Sequence, residues 1–581
     1  MPTHRLRPPH SLRTEVVSPR PVPNGEEGVV GREDSHYRSS DAAGGDNAQQ
    51  PAKPATGRVS VPDAQTLRPQ SAYPPASPPS GPAPTTAAGA VAPPAPTETP
   101  PPPAPPSSRR RLPLVLAAVL VLVLVAVGLV AVRPGPVARW LGDDSAGSAT
   151  AGPPEPAPVA VLAAADVGAP MPSAEGLRAV LDPLVGDAAL GGRVNLAVAD
   201  ALTGQPLFER GGGEGTVPAS VTKLLTAVTV LTARGPGYRI PTRAVAGSAP
   251  GEVVIVGGGD PTLAAGAKGF YPGAASLEDL AKQVRTALGG TEPTRVVVDS
   301  TLYPGPVHGP GWDDDIPTGG YGAAVTALML DGARKDPKAD QGWAERVPQP
   351  ELAAGRAFAR LLNVPESAVR SGTAPPAPTE ATPAASVAPG AELGVVQSPP
   401  LIRLVDVMIS ESDNIVAEAL ARQVALARDR PASFTGAAAA MVEVLTELGL
   451  PTDGLTLADG SGLSRTNLVS PALLTELLAL AASPDRPELG GVFSGLPVGG
   501  WSGTLRDRYG ATPGTASGAG VVRAKTGTLT KVHAIAGVVT TAEGRLLTFA
   551  VLTDEVPPDG MEPARAALDR IAAALATCGC H

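Results

Sequence analysis

"PASVTKLLTA", residues 218–227, places one charge on an otherwise apolar helical stretch. From Val221 to Ala233 the side chains are Val, Leu, Ala and Thr, and Lys223 is the only cation. Ser220 stands three residues before it, so the hydroxyl and the amine share a face about one turn apart. A lysine in this setting is either a snorkelling surface residue or a buried amine. Burial disfavours the ammonium and makes a base of the lysine.

Two further triplets lie downstream. "SESDNIVAE" holds Ser412-Asp413-Asn414 at a break near a helix, where the plainer reading is a cap or turn. "VVRAKTGTLT" holds Lys525-Thr526-Gly527-Thr528 on a strand, where the plainer reading is a polar edge segment. Each triplet alone is modest evidence. In this order, S-x-x-K, S-D-N and K-T-G form the active-site set of penicillin-recognising serine enzymes.

The chain resembles that superfamily. The words "VADALTGQPLFER", "VPASVTKLLTA", "GGGDPTL", "SESDNIVAEAL", "DGSGLSRTN", "GTLRDR" and "AKTGTLTKV" narrow the resemblance. They are similar to those of the D-alanyl-D-alanine carboxypeptidase/endopeptidase family, the low-mass class C penicillin-binding proteins. The likeness spans roughly Ala201 to Leu552. It implies an α+β, β-lactamase/DD-peptidase-like catalytic domain of sheet and helices with an inserted α/β module. It also implies peptidoglycan stem peptides as substrate and acylation by β-lactams.

The chemistry follows residue by residue. An amide is a poor electrophile, and an acyl-enzyme splits its hydrolysis into two easier steps. Ser220 is the expected nucleophile. Lys223 serves as its base if neutral, a state favoured by desolvation and by a second cation, Lys525. The resemblance gives Ser412 a proton-relay role toward the leaving amine, and Asn414 a hold on a substrate carbonyl. Lys525, Thr526 and Thr528 of the K-T-G segment, with Gly527 between, are expected to bind the terminal carboxylate. The backbone N–H groups of Ser220 and Thr528 are the expected oxyanion hole. This reading calls for no cofactor and no metal. Three alternatives stand beside it: a β-lactamase, a transpeptidase, and a penicillin-binding sensor or scaffold without peptidase activity.

The rest of the 581 residues frames this domain. Pro74 to Pro106 holds 15 prolines among Ala, Ser and Thr, too little apolar mass to offset chain entropy. Residues 1–111 therefore read as a disordered Pro-rich tail. Leu112 to Val132 is 21 uncharged residues, long enough to cross a bilayer. Arg109, Arg110 and Arg111 precede it against Arg133 after it, which places the tail in the cytoplasm and the catalytic part outside the cell membrane. The tail carries net +3, leaving −12 for the remainder, and an acidic ectodomain carries no electrostatic footprint for nucleic acid. Residues 133–172 read as a Pro/Ala/Gly-rich stalk, 173–237 and 395–581 as the catalytic domain, and 238–394 as the insert. Within the insert, "EVVIVGGGD", "SLEDLAKQVRTALGG" and "TRVVVDS" read as strand, helix and strand. There is no H-E-x-x-H and no G-x-S-x-G, which weakens zinc-protease and α/β-hydrolase readings. Cys578 and Cys580 allow a strained short bridge or, with His581, a metal tail.

Overall fold

A computed structural model describes residues 168–338, 344–378, 388–510 and 512–580. The tail, the apolar segment Leu112–Val132 and nearly all of the stalk lie outside the described residues, as does His581.

The catalytic part opens with α1 (Ala174–Val185), β1 (Val194–Asp200), β2 (Pro206–Arg210) and α2 (Lys223–Arg234). The insert contributes β3 (Pro241–Ala246), β4 (Glu252–Val256), α3 (Leu277–Ala287), β5 (Arg295–Asp299), α4 (Pro350–Leu361), β6 (Val369–Ser371) and β7 (Glu392–Gln397). Four helices follow: α5 (Leu401–Ser410), α6 (Asn414–Ala427), α7 (Phe434–Glu447) and α8 (Pro471–Ala482). The chain closes with β8 (Val522–Leu529), β9 (Val532–Thr540), β10 (Leu546–Thr553) and α9 (Met561–Ala576).

The first sheet is antiparallel in the order β2-β1-β10-β9-β8, so its first and last strands in sequence pair at the centre, with Ala197 opposite Ala550. Its strands are apolar on both faces because both are covered. Leu196, Val198, Ile535, Val539 and Phe549 pack under α1 and α9 with Leu181, Leu568 and Ile571. Ala534, Ala536, Val538 and Ala550 turn the other way, into the helical lobe. At the centre of that lobe is α2, buried from Lys223 to Leu231. Its threonines hydrogen-bond backbone carbonyls, as a buried hydroxyl must: Thr229 to Leu225 and Thr226 to Gly460.

The second sheet runs β6-β5-β4-β3-β7, with β4, β5 and β6 parallel and β3 antiparallel to both its neighbours. The strand–helix–strand reading holds, with Ser276 capping α3 through the Asp279 N–H. The sequence showed neither α4 nor the strands β3, β6 and β7. The last of these crosses position 394 and ends at Gln397. Cys578 and Cys580 form a disulfide after α9 rather than a pair of free metal ligands.

Asp200 closes the β1–β2 hairpin by accepting from the Thr203 N–H and hydroxyl, and pairs with Arg545 at the start of β10. Burial pushes its carboxyl up, but the bonds from Arg545 and Thr203 outweigh this and hold it below the usual value. That stabilisation is present above the unfolded carboxylate pKa and is lost as pH falls through the lower folded value. Arg545→Met leaves the carboxylate buried without its cation. Urea unfolding should show a loss of about 3–5 kcal/mol near neutral pH that shrinks toward pH 3.

Candidate active site

A turn of 3₁₀ helix, Ala219–Thr222, leads into α2 and presents Ser220. Ala219 has φ +45°, a left-handed conformation that a non-glycine residue adopts only under constraint. Two glycines supply the constraint. A Cβ on Gly462 would lie 1.8 Å from the Ala219 carbonyl oxygen. One on Gly527 would lie 2.6 Å from the Pro218 oxygen and 3.1 Å from the Ser220 nitrogen. Gly527 of the K-T-G segment thus lets β8 press directly on the turn that carries Ser220.

Lys223 is wholly buried. Its Nζ donates to Ser220 Oγ at 2.9 Å, to Asn414 Oδ1 at 2.5 Å and to the Ser461 carbonyl at 2.7 Å, three acceptors for the three protons of an ammonium.

Ser412 and Asn414 come from the break between α5 and α6. Ser412 also has positive φ, +58°. Between them Asp413 is the cap that the plainer reading expected: Oδ1 accepts from the N–H groups of Ile415 and Val416. The break and the cap aim the two flanking side chains into the site. Ser412 Oγ accepts from Lys525 Nζ at 2.9 Å.

Lys525 is also wholly buried, and donates as well to the Thr526 carbonyl at 2.7 Å. The register puts Lys525 opposite Ala536 and Gly527 opposite Ala534. Ala524 donates its N–H away from β9, to Pro497, so by alternation the N–H groups of Thr526 and Thr528 face the same outer edge. From Lys525 onward no strand covers that edge among the described residues. The Thr526 hydroxyl meets that of Thr504 at 2.9 Å. All eight residues singled out in the sequence therefore converge on the seam where β8 meets the first turn of α2 and the α5–α6 break.

Burial lowers Lys223 to about 8, against the pull of Asp459, Asp413 and Glu418, whose charges favour the ammonium. Lys525 is driven well below its usual value, first by burial and then by the positive charge of Lys223. The desolvation expected from the sequence is the leading cause at Lys223, and the mutual repulsion of the two amines lowers Lys525 further. Sequence reasoning missed the three carboxylates, because it surveyed only the neighbours of Lys223 on its own helix.

Those carboxylates organise the back of the site. Glu418 accepts from the N–H groups of Gly460 and Ser461, fixing the peptide whose next carbonyl receives Lys223. Asp459 accepts from the N–H groups of Gly462 and Ser464 and from Asn467 Nδ2. Both sit inside the quoted words "SDNIVAE" and "DGSGLSR", which is the only signal the sequence offered. The insert is fastened to the same motifs. Tyr271 donates to Asp413, Trp312 to Asp459, and Arg465 forms a two-pronged pair with Asp313. Asn414 Nδ2 reaches the Tyr321 carbonyl.

Two serine–lysine pairs and an open strand edge thus lie together between a five-stranded sheet and a helical lobe. The chain belongs to the D-Ala-D-Ala carboxypeptidase 3 (S13) family, whose profile matches residues 177–371 and 377–575. A carboxypeptidase of Mycobacterium tuberculosis is 40% identical over 440 residues, 74% of this chain and 90% of that one. Carboxypeptidase DacB of Mycolicibacterium smegmatis is 39% identical over 441 residues, with 74% and 91% covered. In fold the chain is similar to penicillin binding protein 4 (dacB) from Haemophilus influenzae, with TM-score 0.52, 21% identity, and 69% of this chain and 98% of that one covered.

Gly527→Ala tests the close approach of β8. The added methyl has backbone on its near side, so the strand must move off the Ser220 turn. Labelled penicillin should acylate the variant about tenfold or more slowly, the scale on which a small misplacement acts, while circular dichroism stays native. Wild-type labelling would refute the contact's role.

Proposed function

We propose that the protein is a membrane-anchored, extracytoplasmic serine D-Ala-D-Ala carboxypeptidase/endopeptidase. It acts on peptidoglycan stem peptides through an acyl-enzyme and is acylated by penicillins. Family membership makes the chain a D-Ala-D-Ala carboxypeptidase-type enzyme. The observation that carries the finer reading is Ser220 Oγ, 2.9 Å from a buried lysine amine at the foot of an open strand edge.

In this mechanism the substrate backbone lies along the outer edge of β8. Its terminal carboxylate meets Lys525 and the hydroxyls of Thr526 and Thr528, and Asn414 Nδ2 holds a carbonyl. Neutral Lys223 takes the Ser220 proton as Oγ bonds to the scissile carbonyl carbon. The oxyanion rests between the N–H groups of Ser220 and Thr528. The C–N bond then breaks. Ser412 passes a proton to the leaving amine and regains the one held by Lys223, which is neutral again before water arrives. Water attacks the ester carbon, gives its proton to Lys223, and Ser220 leaves with a proton restored. The net change is one amide hydrolysed by one water.

With Lys223 near 8, about a tenth of the sites hold the neutral amine at pH 7, so acylation should climb with pH and level off above 8. Mass spectrometry should find the penicillin adduct on the peptide containing "ASVTK", and an adduct elsewhere would remove Ser220 from the mechanism. Lys223→Arg keeps a cation that cannot give up its proton. It should fold and lose about a hundredfold or more in acylation rate. Asp413→Asn keeps the cap but removes a charge that favours the ammonium. The rising limb should therefore move to lower pH, and a limb that moves upward or stays put would contradict the electrostatic account.

The topology rests on the apolar run and its arginine asymmetry. Protease added to intact protoplasts should digest the catalytic domain and spare residues 1–111; digestion of the tail alone would reverse the orientation.

A further inference from the structure

The outer edge of β8 is open from Lys525 onward but closed at its other end. Gly499 donates to the Val522 carbonyl at 2.9 Å, and Ala524 donates to Pro497 at 3.0 Å. The chain then turns through Gly500 (φ +70°) and Gly503 (φ +53°), lifting Trp501 and Ser502 away from the strand. Ser502 Oγ fastens the turn by accepting from the Val498 N–H at 3.0 Å. Thr504, at the end of the turn, is the residue whose hydroxyl meets Thr526. The turn borders an open cleft of about 520 Å³ lined by Leu496, Val498, Trp501, Ser502 and Arg523.

Two of these residues lack partners. Trp501 is 78% exposed, a large apolar surface left in water beside the active site. Arg523 is half-buried, yet its guanidinium makes no hydrogen bond and no ion pair among the described residues. A half-buried guanidinium is suited to a carboxylate, which it can hold with two parallel bonds.

Their position along β8 says what would reach them. Side chains alternate on a strand, so Arg523 and Lys525 share a face, and each residue adds about 3.4 Å. Arg523 therefore lies about 7 Å beyond Lys525, and about 14 Å beyond Gly527, which touches the Ser220 turn. Ser220, Lys525 and Arg523 fall in that order along one edge. A substrate with its acyl carbonyl at Ser220 and a carboxylate at Lys525 points its amine side toward Arg523. A single D-Ala leaving group ends at Lys525, whereas a longer amine-side peptide continues past it.

We propose that the cleft under Trp501 is a subsite for the amine-side peptide of a cross-linked stem. Arg523 pairs with a free carboxylate on that peptide and Trp501 covers its apolar chain. The inference rests on the peptidase reading above, since it assigns the far end of the same substrate.

The test compares three substrates on the purified full chain: a stem pentapeptide that loses one D-Ala, a cross-linked peptide dimer, and the same dimer amidated at its amine-side carboxylates except the one next to the scissile bond, which Lys525 holds. Penicillin labelling counts active sites in each preparation. Wild type should hydrolyse the dimer with higher kcat/KM than its amidated form. In Arg523→Gln the ratio of dimer to pentapeptide kcat/KM should fall by about tenfold, the scale of one charge-assisted hydrogen bond, and amidation should no longer matter. Trp501→Ala should lower the same ratio while keeping the sensitivity to amidation. If wild type cleaves both substrates and neither variant changes the ratio, or amidation affects Arg523→Gln as much as wild type, the subsite is refuted and the peptidase reading stands. If wild type is labelled by penicillin but cleaves none of the three, the peptidase reading fails and takes the subsite with it.

Discussion

Burying two lysine amines in one site is the constraint around which the chain is arranged. An unpaired ammonium out of water costs several kcal/mol, so such a group either finds partners or gives up its proton. Lys223 does some of each. Three acceptors and three carboxylates hold its charge, and burial still brings it down to about 8. Lys525 has two acceptors, and among the described residues the charge that shifts it is the positive one of Lys223. The two amines thus differ in basicity for a structural reason: Asp413, Glu418 and Asp459 all lie on the Lys223 side.

Holding that arrangement takes precise backbone placement. The two left-handed residues at the site, Ala219 and Ser412, each adjoin a motif side chain. Gly462 and Gly527 confine the first from both sides, and Asp413 anchors the second by capping α6. Strain of this kind, of order 1–3 kcal/mol per residue, persists only where the surroundings over-determine it. The insert is part of those surroundings. Its residues Tyr271, Trp312, Asp313 and Tyr321 bond to Asp413, Asp459, Arg465 and Asn414, so loops of the insert serve as a wall of the site. Loosening it would be felt at Asn414 before any contact with substrate is lost.

The chemistry of the site was legible in the sequence because it is carried by short local words. Ser220 and Lys223 meet through helix spacing alone, and the segment at 521–530 was visible as a strand. What stayed hidden depends on distant residues meeting. Glu418 reads as an ordinary helix charge until the 460–461 peptide is seen above it. Asp413 looked like a cap and is one, which concealed its effect on Lys223. The strands β3, β6 and β7 are short, and the sheet that makes sense of them assembles from segments more than a hundred residues apart. The direction of the Lys223 shift and its leading cause, desolvation, were legible, whereas the opposing pull of Asp413, Glu418 and Asp459 was not, since those carboxylates come from other elements.

The account turns on the ionisation of one side chain, and that can be observed without catalysis. Lysine labelled with ¹³C at Cε gives a resonance that moves when the amine loses its proton, and Lys223→Arg identifies the signal by its disappearance. Titration of the folded protein should place the Lys223 inflection near 8. An inflection at about 10.4, the value of a free lysine, would mean that burial does not create the base, and the role given to Lys223 would be wrong.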